Sequence, residues 1–174
     1  MFRKSLLSLV AFAAVVASVA SFGLETASAA EPTAAARTVF NYLDARDYSP
    51  EFDSDGDIVF KHEDGVYTII FDREDDEYFR ILYLNFWTLD NAEELQTALR
   101  AANRVNLVNK AAKVAVPQEF VANPVKIIDS PYVAVETFSA DPHDFSRTIP
   151  RSLEAIQAAA LKFGVFMLAE SLDK

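Results

Sequence analysis

The sequence predicts an α+β domain: an antiparallel sheet of about five strands packed with three helices, in the order α-β-β-β-α-β-β(-β)-α. Three observations predict it. Apolar residues recur at helical spacing near both ends of the chain, β-rich runs are punctuated by Asp-Gly pairs, and a capped helical segment divides the runs into two groups. A hydrophobic content of 51% with seven Pro in 174 residues fits one globular domain. A chain of that length buries roughly 68% of its unfolded surface.

The first 30 residues read as a targeting segment. Arg3 and Lys4 precede a charge-free apolar stretch from Ser5 to Leu24, and small residues at Ala27, Ala29 and Ala30 form an A-x-A-like cleavage site. The expectation is a secretory signal peptide over 1–30, cleaved after Ala30, with the domain proper at 31–174. The rival is an uncleaved anchor, since a stretch of about 20 residues can cross a bilayer. With no twin Arg and no Cys, general export is expected, to the periplasm or the medium.

From Thr33 to about Arg46, Ala36, Val39, Phe40 and Leu43 mark a short amphipathic helix, ended by Ser49-Pro50. A β-rich run, Ile58 to Lys61, lies between the Asp-Gly pairs at 55–56 and 64–65, and a second run spans Val66 to Phe71. Such pairs are strong hairpin signals. The acidic turn Asp72 to Glu77 leads into a third run from Tyr78 to about Thr88. Asp90, with Glu93 three residues on, predicts a capping box for a second helix whose buried stripe is Leu95, Ala98, Leu99, Ala102 and Val105. Val114–Val116, Val125–Ile128 and Tyr132–Phe138 are further strand candidates, bounded by Pro117, Pro124 and Pro131. Asp141-Pro142 opens a last helix along Phe145, Ile149, Leu153, Ile156, Ala160, Phe163 and Met167, which Pro150 is expected to kink.

Chemistry is excluded more readily than it is assigned. Without Cys there are no disulfides, thiol nucleophiles or thiolate metal sites. Four Gly supply neither a dinucleotide fingerprint nor a P-loop, and no Gly-x-Ser-x-Gly elbow or His-Glu-x-x-His motif occurs. His62 and His143 read as surface residues. The expectation is therefore a protein that is no enzyme and needs no cofactor. A formal net charge of −10, one unit more negative once Arg3, Lys4 and Glu25 are removed, disfavours nucleic acid and anionic membrane surfaces. After cleavage, no stable membrane insertion is expected.

Two candidate sites remain. The second and third runs are apolar on both sides, whereas a sheet with one wet face alternates. Either helices cover both faces, or one face meets a protein partner or a second copy in a homodimer. Ile81, Tyr83, Phe86 and Trp87 are the candidate contact residues. The alternative is a small ligand or divalent cation on the acidic 51–57 loop, where Asp53, Asp55 and Asp57 surround Gly56. Read as a calcium loop from Glu51, that match fails at position twelve, which is His62, and turn chemistry explains the same residues.

The run Asp55-Gly56-Asp57-Ile58-Val59-Phe60, the stretch LYLNFWTLD from Leu82 to Asp90, and ALRAANRVNLVNKAAKVAV from Ala98 to Val116 resemble the YbjN domain family of bacterial proteins. The resemblance runs from about Val39 to Leu168, and its motifs are structural rather than catalytic. It implies an α+β fold like that of type III secretion chaperones and a sensory, regulatory or chaperone-like role exercised through protein binding. Two departures are the stretched passage from Gln118 to Ser130 and the export signal.

Overall fold

The computed structural model describes residues 30–117, 120–121, 126–127 and 130–172. It is the α+β architecture the sequence predicts, with more strands. The elements are α1 (Ala34–Asp44), β1 (Glu51–Phe52), β2 (Ile58–His62), β3 (Gly65–Phe71), β4 (Tyr78–Tyr83), α2 (Ala92–Val108), β5 (Lys113–Ala115), β6 (Phe120–Val121), β7 (Lys126–Ile127), β8 (Tyr132–Phe138) and α3 (Pro142–Leu172). Six strands form one antiparallel sheet in the order β1-β2-β3-β4-β8-β5, and β6 and β7 pair separately. The expected signal peptide lies outside the described residues apart from Ala30, whose N–H donates to the Ser54 carbonyl at 2.8 Å.

Local chemistry sets the element ends. Thr33 caps α1, its Oγ1 accepting from the Ala36 N–H at 3.1 Å. The α2 cap falls one residue later than the sequence suggested. Asn91 Oδ1 accepts from the Glu94 N–H at 2.9 Å, and the Glu94 carboxylate takes the Asp90 N–H at 2.9 Å, a capping box built on Asn91 and Glu94. In the β2–β3 hairpin the two connecting residues are Glu63 and Asp64, with Glu63 at φ 51°, while Gly65 already pairs with His62. Gly65 is needed for another reason: a Cβ there would sit 2.7 Å from Cε2 of Tyr67, whose ring folds back across the strand. The third run ends early, at Tyr83, because Asn85 turns the backbone to φ 54°. Helix α3 continues through Pro150 as one element.

Strand register sorts the sheet into two faces. Tyr67, Ile69 and Phe71 of β3 pair with Tyr83, Ile81 and Phe79 of β4, and Tyr83, Ile81 and Phe79 pair in turn with Val133, Val135 and Thr137 of β8. This is the inner face. With Ile58, Phe60 and Val114 it packs against Val39 and Leu43 of α1, Ala98, Ala101 and Val105 of α2, and Phe145, Ile149, Ile156 and Phe163 of α3 in a single core. Phe79 stacks on Phe145 at 4.1 Å between ring centres. All three helices therefore cover one face, and no described helix lies on the other. Glu170 ties α2 to α3, accepting from Arg100 at 2.9 Å and Arg104 at 3.0 Å, and those two hydrogen bonds hold its carboxyl below the ordinary value.

Candidate functional site

The four candidate contact residues separate into two pairs. Ile81 is fully buried on the inner face, and Tyr83 is half-buried on that same face, stacked between Tyr67 at 4.9 Å and Phe86 at 5.5 Å. Ile81 is thus a core residue and unavailable for contact with a partner. The reason is parity. With period two along β4, Phe79, Ile81 and Tyr83 share the helix-covered side, and the opposite side carries Tyr78, Arg80 and Leu82.

Phe86 and Trp87 do reach the surface. Beyond Asn85 the chain crosses the end of α3, and both rings meet Phe163 edge-on, at 5.4 and 5.7 Å. Trp87 also lies against Gly164, where a Cβ would come within 3.4 Å of its ring. Beside them is an open cleft of about 460 Å³, walled by Phe86, Trp87, Met167 and Leu168 and rimmed by Asn85, Thr88, Asp90, Glu94 and Ser171. Its lining mixes aromatic and aliphatic side chains with polar and acidic ones, Asp90 and Glu94 among them. Such a cleft suits an apolar side chain next to a basic one.

The acidic 51–57 loop is put to structural use. Asp53 Oδ1 accepts from the backbone N–H groups of Asp55 at 2.9 Å and Asp57 at 3.0 Å, an Asx turn that shapes the β1–β2 connection with Gly56 at φ 82°. Asp57 Oδ1 reaches across to the Phe71 N–H at 3.0 Å and pins the loop to the end of β3. Burial pushes the Asp57 carboxyl above its ordinary value, and this wins over the hydrogen bond from Phe71, which acts the other way. Asp55 is exposed, and its carbonyl accepts from Arg73 at 3.0 Å. Among the described residues, no three His, Asp or Glu side chains are grouped to hold a metal ion.

No family model matches the chain, and no curated protein matches it.

His143 is exposed, as the sequence suggested, but His62 is half-buried with its ring 5.4 Å from that of Tyr48 and 6.3 Å from that of Tyr67. Sequence reading also missed the polar pair on the outer sheet face. Arg80 bridges to Glu136 at 2.8 Å and bonds the Tyr78 hydroxyl at 2.9 Å. Their register positions, one opposite the other on β4 and β8, could be known only once the strands were paired. The cleft was missed for a similar reason: Met167 and Leu168 come to Trp87 from 80 residues away along the chain.

Proposed function

We propose that the chain is a non-enzymatic, exported protein-binding module of YbjN-like type that engages an apolar, basic segment of its partner in the cleft beside Trp87. The observation that carries this reading is the cleft itself: two aromatic rings anchored on Phe163 share its lining with Met167, Leu168 and the acidic residues Asp90 and Glu94. Aromatic anchors in a concave, partly apolar setting are what binding hot spots are built from, and rim carboxylates favour a basic neighbour. A chain of net charge −10 adds long-range attraction for such a partner. Export follows from the N-terminal pattern ending at Ala29-Ala30, and sequencing the N-terminus of the protein recovered from its own host tests it.

The binding test uses the full chain, tagged at its C-terminus and recovered from cell-envelope extract under native conditions. Thr88→Arg and Asp90→Lys replace exposed rim residues without touching the core. A stoichiometric partner retained by the parent and lost from both variants supports the reading. Equal retention by all three, or no partner at all from folded bait, overturns it.

A further inference from the structure

Helix α3 carries a second apolar stripe, opposite the one it buries. Phe145, Ile149, Ile156, Phe163 and Met167 face the core, while Leu161, Val165, Leu168 and Leu172 point away from it and remain 72%, 56%, 64% and 85% exposed. Their spacing is 4-3-4, the a/d alternation of a coiled-coil seam. Between Ala155 and Ala169 the only charged residue is Lys162, and its ammonium is turned aside to Asn109 Oδ1 at 2.6 Å. On one flank the stripe is bordered by the small residues Ala158 and Ala169, and on the other Gly164 and Ser171 adjoin the cleft, with the Trp87 ring against Gly164.

We infer that this stripe is a homodimer seam, closed by the same stripe of a second copy running antiparallel. Self-complementarity decides the occupant. About a two-fold axis between Val165 and Leu168, Leu161 faces the second copy's Leu172 and Val165 faces its Leu168, so one 4-3-4 pattern fills its own holes. The antiparallel sense follows from the charges upstream. Glu154 lies on the same outward side as the stripe, and a parallel pair would set Glu154 against Glu154, whereas antiparallel overlap of 161–172 keeps it outside the seam. The area is sufficient. Two such stripes with their flanks bury on the order of 1,000 Å², the lower bound for a specific interface, so a weak, reversible dimer is expected.

A lipid surface is the competing occupant, because α3 is long and apolar enough to cross a membrane. However, a spanning helix needs an apolar surface all round over about 20 residues. Here one side of α3 is committed to the core, and the outward stripe runs only from 161 to 172, about 17 Å of helix.

Sedimentation equilibrium of the full chain, purified as its host delivers it, tests the proposal. The parent is expected to associate to twice its chain mass over a micromolar range. Leu161→Glu and Val165→Glu, each occurring twice in the seam, are expected to weaken association at least ~100-fold. Both positions are more than half exposed, so the thermal melt stays in place, and Val66→Glu on the far side of the sheet dimerises like the parent. The chain has no Cys, so Val165→Cys and Leu168→Cys chains introduce the only thiols. Mixed, they are expected to cross-link to each other faster than either does to itself. A monomeric parent, a dimer indifferent to both Glu variants, or faster self-linking of Val165→Cys overturns the seam as drawn. So does a monomer that binds phosphatidylcholine vesicles and loses binding in the same variants. Leu168 belongs to both surfaces, so dimer and partner compete there, whereas Leu161 and Val165 do not line the cleft. Loss of dimer in the two Glu variants with partner binding kept separates this seam from the binding reading.

Discussion

The two faces of the six-stranded sheet are made from the same strands and from similar residues, yet they do different work. The inner face presents Ile58, Phe60, Tyr67, Ile69, Phe79 and Ile81 to three helices, and every one of these side chains is buried. The outer face carries Val59, Thr68 and Ile70 half-exposed, Leu82 and Ala134 at 8% and 7% exposure, and a bridged Arg80–Glu136 pair. Apolar content therefore does not identify a contact face. What separates the two is the helices, which need a continuous apolar stripe opposite their own. The inner face supplies one along its length, whereas the outer face has a Tyr78–Phe138 ring pair at its end and is interrupted by Arg80 and Glu136.

The sharpest way to break this comparison is Phe79→Ala, which removes a fully buried ring stacked on Phe145. A loss of about 4 kcal/mol in urea unfolding is expected. On the outer face, Leu82→Ala is expected to cost about 2 kcal/mol. A loss as large as that at Phe79 would mean that the outer face is packed like a core. Gly65→Ala tests the hairpin between the faces. Its Cβ would meet a Tyr67 ring held between Phe60 and Tyr83, and about 1–2 kcal/mol of overpacking should appear in the same unfolding measurement. Arg80→Gln breaks a half-exposed ion pair, and a change under about 1 kcal/mol that fades with added salt is expected.

The smallest effect is a pH slope. Because burial raises the Asp57 carboxyl above its ordinary value, the folded chain binds that proton more tightly than the unfolded chain does. Its contribution is therefore full below the ordinary Asp value of about 3.9 and is lost as pH rises through the folded value. Asp57→Asn keeps an oxygen for the Phe71 N–H and is expected to flatten that decline in thermal melts taken from acid to neutral pH.

Much of this was legible in the sequence, and the failures have a common cause. Patterns contained within one element read correctly: the Ala36, Val39 and Leu43 stripe of α1, the runs at 58–61 and 66–71, the Tyr132–Phe138 strand and the Phe145-to-Met167 face. Features that depend on a distant segment did not. Ile81 and Leu82 are equally apolar, and parity alone assigns one to the core and one to the far face without saying which. The two-residue strand β1 has no pattern of its own and exists because Phe52 pairs with Ile58 and stacks on Phe40 at 4.6 Å. Asn91 displaced Asp90 as the α2 cap although either residue is a good acceptor, because it is Asn91 Oδ1 that reaches the Glu94 N–H.

The contacts Tyr48–Phe60, Phe60–Tyr67, Tyr67–Tyr83, Tyr83–Phe86, Phe86–Phe163 and Phe163–Trp87 link seven rings from the end of α1 to the cleft, each pair within 6 Å. Trp87 is the only Trp in the chain. The Phe rings cannot take up tyrosine excitation, but tyrosine emission overlaps indole absorption. Tyr83, packed with Trp87 around Phe86 and Phe163, therefore passes its energy directly through space to the single indole, whose emission reports from the cleft wall without any attached dye. Unfolding and occupancy of the cleft would then appear as separate changes in one spectrum: loss of tyrosine-sensitised emission for the first, a shift in indole colour for the second.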